Sequence, residues 1–287
     1  MSDIAPVEAP TVPLVTVLPD VGIVAGIPED EYHALPRLSQ SSIKTLLRSP
    51  AHYKGQERKE SKEMKQGSLI DIALTEPARL DTDYHVVPAG FRMDPRTKAY
   101  QAEEALAAGR IMVKQPDFDK AQAIRDAVQS HLIASQLLEG AQAQLAAFWV
   151  EATPHGVVSM KGRMDWVNPG MRILIDLKST DDARSFPKKA GDLGYFIQDA
   201  AYRRGWEMAG GFAVDAFVFI VVERDPPHGI KLYELSQKAR DKGLQQYLKG
   251  VNRYAQCVAT DNWFTYDPHI VEVDVPEYTL RKYEDDE

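Results

Sequence analysis

The sequence predicts an α/β protein, a mixed central β-sheet with helices on both faces. Three observations predict it. Residues 144–151 and 156–167 read as strands, and a Pro-Gly turn carries the second of them into a third apolar run, 173–177. Ala-, Gln- and Leu-rich segments with few breakers precede these strands. A buried-strand run, Ala-Phe-Val-Phe-Ile-Val-Val, follows a helical segment at 193–209. The order is helices, antiparallel strands, helix, strand, helix.

Taken from the N-terminus, residues 1–28 carry Pro6, Pro10, Pro13, Pro19 and Pro28 among isolated valines and read as an extended or disordered arm outside the core. Leu38-Ser-Gln-Ser-Ser-Ile-Lys starts a helix with Ser39 as N-cap, and the helix ends before Pro50. Free N–H groups at such a start attract anions, so Arg37, Ser39 and Ser41 are candidates for a phosphate, although capping explains one serine equally well. Residues 37–65 hold eight bases, Lys44 among them, against three acids. A solvated Lys/Glu helix accounts for part of that run. The mostly apolar segment 67–77 carries Asp71 inside its apolar run, with Glu76 at its end before Pro77, and Asp71 needs a partner if its face is buried. Helices are expected over 97–109 and 117–139, the second stopping at Gly140. Glu151 ends the first strand and is a further carboxylate candidate. Gln198 and Tyr202 share one face of the 193–209 helix, which Gly210-Gly211 closes. Ser236 caps a long helix reaching about Thr260, and the residues from Trp263 are aromatic, then acidic over 267–287.

The centre of the chain is Lys161-Gly-Arg-Met-Asp-Trp-Val-Asn-Pro-Gly-Met-Arg-Ile-Leu-Ile-Asp-Leu-Lys178. Asn168-Pro-Gly-Met171 fits a type II turn, with Pro second and Gly third. Closed there, the hairpin puts Asp165 opposite Leu174 and Asp176 opposite Arg163, and the two acids become diagonal neighbours with backbones roughly 7–8 Å apart. Alternation then gives one face Lys161, Arg163, Asp165, Arg172, Leu174, Asp176 and Lys178, and the other Met160, Met164, Trp166, Ile173, Ile175 and Leu177. Two carboxylates and an ammonium on an apolar sheet need a partner, and a divalent cation neutralises both acids. Cross-strand ion pairs on a solvated face are the plainer account.

Composition narrows the function. One cysteine, Cys257, excludes a disulfide framework and a four-cysteine metal or iron–sulfur site. Seven scattered histidines give no zincin spacing, and no Gly-rich phosphate loop or G-x-S-x-G elbow is present. No apolar run reaches the roughly 18–20 residues of a membrane span, so no membrane partner and a cytoplasmic site are expected. The net charge of −8 looks unsuited to nucleic acid, yet residues 1–31 hold six acids and no base, which leaves the basic 37–65 segment distinct.

Asp165, a turn, then Asp176-Leu-Lys178 resembles the core motif of the PD-(D/E)XK nuclease superfamily. With Leu38-Ser-Gln-Ser-Ser-Ile-Lys, Ser-Pro-Ala-His-Tyr53, 67–77, Phe148-Trp149, Lys161-Gly-Arg-Met-Asp-Trp166, Asp176-Leu-Lys-Ser-Thr180, Tyr195-Phe-Ile-Gln-Asp-Ala-Ala-Tyr202 and 217–226, the chain resembles the RecE-type, exodeoxyribonuclease VIII-like branch found in phages and prophages. The resemblance implies a single nuclease domain over 29–266. It implies a Mg²⁺-dependent exonuclease, with Mn²⁺ able to substitute and two ions expected, that degrades one strand of linear duplex DNA from its 5′ end. A ring-shaped homo-oligomer, a single-strand annealing protein as partner and a bacterial host cytoplasm come with it. Asp165 and Asp176 match the acidic metal ligands, Lys178 the catalytic lysine, and Gln198 and Tyr202 the Gln-x-x-x-Tyr helix.

In the mechanism so implied, the Leu177 carbonyl joins Asp165 and Asp176 around the metal, Asp71 serves a second ion, and Arg163 contacts a phosphate. Lys178 orients the water, its pKa lowered beside the cation. The family usually has a histidine where this chain has Asp71, and related exonucleases have a glutamate upstream of the hairpin where Gln142 or Gln144 stands here. An endonuclease of the same fold, or a DNA-binding protein with a weakened metal site, are the alternatives.

Overall fold

The computed structural model describes residues 18–56, 62–266 and 269–281. In chain order the elements are β1 (Gly22–Val24), α1 (Glu29–Ala34), β2 (Leu38–Ser39), α2 (Gln40–Arg48), α3 (Pro50–Lys54), α4 (Lys62–Thr75), α5 (Arg79–Asp83), β3 (Tyr84–Val87), α6 (Lys98–Ala107), β4 (Ile111–Lys114), α7 (Gln115–Ser130), α8 (Leu132–Leu138), β5 (Gln142–Thr153), β6 (Gly156–Asn168), β7 (Ile173–Thr180), α9 (Phe186–Asp192), α10 (Tyr195–Met208), β8 (Ala216–Glu223), β9 (Ile230–Tyr233), α11 (Gln237–Thr260) and α12 (Glu277–Arg281).

The fold is the mixed α/β arrangement that the sequence predicts. The main sheet runs β1-β5-β6-β7-β8-β9, with β2 beside β6, and β3 and β4 pair separately. β5, β6 and β7 are antiparallel, whereas β7 and β8 are parallel and connected through α9 and α10. One core lies between the sheet and α2, α9, α10 and α11, centred on Trp149, Met160, Leu174, Phe217 and Tyr247. A second covers the opposite face, where Trp166, Ile175, Leu177 and Ile220 meet α4, α7 and α8.

Glycine sets how closely the helices approach. A Cβ on Gly205 of α10 would lie 2.6 Å from the Trp149 indole, and one on Gly243 of α11 would lie 1.9 Å from the Phe196 carbonyl oxygen. Only glycine admits those contacts.

Three expectations are corrected. The proposed arm does not end at residue 28: Gly22–Val24 pairs with β5, and Val24 is buried against Ala146 and Phe148. Residues 1–17 lie outside the described residues, as do 57–61, which carry part of the basic segment, and 267–268 and 282–287 of the acidic tail. The helix expected over 117–139 is two, because His131 leaves helical geometry and its Nδ1 accepts the Ala134 N–H, capping α8.

The hairpin register is the third. Asn168 pairs with Ile173 and Trp166 with Ile175, two residues away from the expected pairing. The turn is longer than type II: Asn168 Oδ1 accepts the Met171 N–H at 3.1 Å, Arg172 rather than Gly170 takes a left-handed conformation (φ 55°), and residues 169–172 all lie in the loop. Asn168 also donates to the Leu137 and Glu139 carbonyls, which anchors this end of the hairpin to α8.

Candidate active site

The site forms where β6 and β7 separate. Their ladder stops at Trp166–Ile175, and the next free N–H on β7, that of Leu177, is taken by Asp165 Oδ2 at 2.8 Å. Strict side-chain alternation fails at the same point. Met164 packs in the Leu174 core, but Trp166, two residues on, packs in the opposite one with Ile175. Asp165 falls between the Ala143–Trp166 and Leu145–Met164 pairs, across from Gln144, whose φ of 54° is left-handed. The pairing is interrupted there and the sides invert, so neither predicted face holds over the whole hairpin. Lys161 and Arg163 turn toward α1, away from the side on which Asp176 and Lys178 meet α10. Continued by one pair, the observed register sets Asp165 directly across from Asp176 rather than diagonal to it.

Asp176 is 2 % exposed. Gln198 Nε2 donates a short hydrogen bond to its Oδ1. Its Oδ2 lies against the Lys178 ammonium but receives no aligned hydrogen bond. Lys178 sits 4.8 Å over the Tyr195 ring. Leu177 directs its N–H at Asp165, and since a strand residue's N–H and C=O point the same way, its carbonyl faces the same gap.

The electrostatics are those of crowded like charges. Burial pushes the Asp165 carboxyl well up, and Asp176 and Asp71 add to that, offset in part by Lys178 and the Leu177 N–H. Asp71, on α4, is pushed up to about 7 by burial, with Lys178 pulling it down and Asp176 and Glu29 pushing it up. Burial alone would lower the Lys178 ammonium; Asp176 and Asp165 outweigh it and hold the lysine above its usual range.

Three mutually repelling carboxylates, with a single ammonium among them, fit a hard divalent cation in their chemistry. The fit is not a closed cage: among the described residues no three His, Cys, Asp or Glu side chains converge as a ligand set.

Asp71, Asp165, Tyr202 and Gln144 open onto one groove of about 1020 Å³, together with Ser39, Ser41, Arg37 and Arg163. Tyr202 hydrogen-bonds Gln40, and burial raises its hydroxyl pKa well above normal, with further upward pushes from Tyr32, Asp176 and Asp165. Ser39 occupies the N-cap position of α2 without capping it; its hydroxyl bonds those of Ser41 (2.9 Å) and Ser42 (3.1 Å) instead. Lys44 donates to the Leu193 carbonyl, and burial and then Lys178 lower its pKa.

Other candidates are held by structural partners. Glu151 is not at the site: 2 % exposed, it forms a two-pronged ion pair with Arg204 (2.6 and 3.0 Å) and accepts the Tyr247 hydroxyl. Arg37 donates to the Pro19 and Asp20 carbonyls and covers the Phe148 ring. Arg163 donates to the Ile27 carbonyl at 2.7 Å, and its Nε is buried without a partner. Lys161 caps the C-terminal end of α1 through the Tyr32, His33 and Leu35 carbonyls, which suits a cation at a helix C-terminus.

Sequence reasoning missed Glu29, Tyr32 and Gln40. Pro28 followed by Glu29-Asp-Glu is a legible helix start, with three acids in the first turn of α1. Of Gln142 and Gln144, it is Gln144 that lines the groove, its amide donating to Thr75 at 3.4 Å.

Comparison with known proteins agrees with this architecture. The structure resembles a "Putative exonuclease" from Eubacterium rectale at TM-score 0.57 and 14% identity, covering 89% of this chain and 98% of that one. It also matches a phage-related exonuclease from Haemophilus somnus 129PT at TM-score 0.33 and 14% identity, covering 79% and 96%. At such identity the first likeness speaks for the fold alone. No match is found among curated proteins. Residues 39–269 match the family described as a PDDEXK-like domain of unknown function, DUF3799, and so span the hairpin and most of the residues of both cores and of the groove. The chain therefore belongs to that PDDEXK-like family.

Proposed function

We propose that this chain is a metal-dependent deoxyribonuclease that degrades one strand of linear duplex DNA from the 5′ end and leaves 3′ single-stranded overhangs for recombination by annealing. The observation that carries the reading is the close-set charged group Asp71, Asp165, Asp176 and Lys178 beside an open groove. Asp165, Asp176 and the Leu177 carbonyl would hold Mg²⁺ or Mn²⁺, and Asp71 a second ion. Such an ion supplies a polarised water and neutralises charge on the phosphate. Lys178, kept protonated by the acids, donates hydrogen bonds that hold the water or a phosphate oxygen in place. Gln198 fixes Asp176 from α10, and Tyr202 with Gln40 offers hydroxyl and amide donors to the same groove. Ser39 and Ser41 in the groove are the phosphate contacts, and Lys44 and Arg163, each spending one donor on a carbonyl, have further donors for a phosphate; Arg37, engaged by two carbonyls, braces the segment before α1 instead. A ring-shaped homo-oligomer, an annealing-protein partner and a bacterial cytoplasm follow from the motif resemblance.

The test is purified protein with Mg²⁺ and 5′-labelled linear duplex, with closed circular duplex alongside. Release of label from the linear DNA, an intact circle and no release by Asp176→Asn are expected. Cutting of the circle would make the protein an endonuclease. The lack of a converged ligand set among the described residues favours one second reading, a DNA-binding protein of this fold with a weakened site. Salt-sensitive binding without Mg²⁺-dependent turnover would establish it.

A further inference from the structure

The aromatic residues at the α3–α11 side of the groove have no part in the chemistry so far. Tyr53, Tyr254 and Trp263 line the same groove as Asp71, Asp165 and Tyr202. The chain has four tryptophans. The other three, Trp149, Trp166 and Trp206, are core residues at most 4% exposed, whereas Trp263 is half-buried.

The ring of Trp263 is held in a fixed orientation. Its Nε1 donates to Asp261 Oδ1 at 3.0 Å, the same oxygen that the Lys54 ammonium meets at 2.9 Å. That ammonium lies 5.1 Å over the indole. The backbone behind it is pinned to α3, because the Phe264 carbonyl accepts the Ala51 N–H at 3.1 Å. Tyr53 lies nearly parallel to Trp263, at 6.0 Å and 23°, and Tyr254 meets Tyr53 edge-on at 5.8 Å.

Resting on the nuclease reading above, we propose that Tyr53, Tyr254 and Trp263 form a stacking platform for unpaired bases of the DNA strand that enters the groove. A strand leaving a duplex for hydrolysis loses its neighbours, and an aromatic face replaces that stacking for any base. Such a platform reads no sequence, which suits an enzyme that must digest whatever the end presents. Lys54, 54% exposed at its side chain, lies over the indole and places a cation at the platform for the phosphates of a stacked strand.

The experiment uses the full chain without divalent ions, titrated with single-stranded oligo(dT). Binding quenches tryptophan emission, because the one tryptophan that is not buried lies on the platform. In Trp263→Leu the quench disappears, and anisotropy shows roughly ten-fold weaker oligo(dT) binding for Trp263→Leu and for Tyr53→Leu, the size of one lost stack. Trp263→Phe, which keeps a ring, retains most of the affinity, a rescue that a purely structural role at this position does not predict for affinity at equal thermal stability. Wild-type affinity in both leucine variants, with folding intact, overturns the platform. Nuclease turnover is read separately through Asp176→Asn. Turnover without an effect of Trp263→Leu removes the platform and leaves the nuclease. Quenching without turnover keeps the platform and removes the nuclease.

Discussion

Asp165 does two things with one carboxylate: one oxygen closes the end of a β-ladder and the group as a whole crowds Asp176 and Asp71. Gln198 acts through Asp176. Gln198→Ala should weaken Mn²⁺ binding about 10- to 100-fold, as loss of a group that orients a ligand does, with little change in melting temperature. Lys178→Met should lower turnover at least ~100-fold while leaving Mn²⁺ affinity equal or higher, because an ammonium competing for Asp176 is gone. Glu151 predicts the reverse pattern. Its partners Arg204 and Tyr247 make it a buried structural acid, so Glu151→Ala should cost about 1–3 kcal/mol in denaturant unfolding and leave the Mn²⁺ affinity of the folded protein unchanged. Asp199 gives a pH signature away from the groove. Burial pushes it from 3.8 to about 6 despite Arg203, and its Oδ2 has no hydrogen-bond partner. A raised carboxyl favours the folded state below its unfolded pKa, and that contribution is lost as pH rises through about 6. Wild-type stability relative to Asp199→Asn should therefore fall between pH 4 and 7, by up to roughly 3 kcal/mol.

At the scale of elements, α10 carries the site and glycine decides its seat. Gly243→Ala would press a methyl into the Phe196 carbonyl on α10, so destabilisation of about 2 kcal/mol or more is expected in thermal or urea unfolding. The helices and strands around the hairpin were legible because each had period, cap or breaker: Ser236 caps α11 with its hydroxyl, and α2 does end before Pro50. Long periodic segments survive tertiary context. The hairpin register was not legible, because Asn168 uses its side chain where a type II turn would use backbone. The face assignment failed for a subtler reason. A paired distortion at Gln144 and Asp165 conserves register while inverting the sides, so residues beyond it in β6 keep their partners and change their core. Short pieces such as β1, β2, β3 and β4 exist through pairing, and four residues or fewer carry little local signal.

Over the whole molecule, the acids of the site were found from spacing, yet what gathers them is long-range. Asp71 arrives from α4 on one side of the sheet and Gln198 from α10 on the other, and no sequence separation announces either contact. No described helix is long and apolar enough to cross a membrane. The net charge of −8 predicts that binding to DNA depends on local phosphate contacts, so affinity should fall steeply with salt, and Lys44→Ala should reduce that slope by about one. Calorimetric titration of Mn²⁺ at pH 7.5 tests the central claim most directly, that the separated ends of β6 and β7 with α4 form a divalent-cation site. Wild type should bind, Asp165→Asn and Asp176→Asn should each abolish the binding, and Asp71→Asn should remove a second, weaker event. Equal Mn²⁺ binding by wild type and Asp165→Asn, or none by wild type, would contradict it.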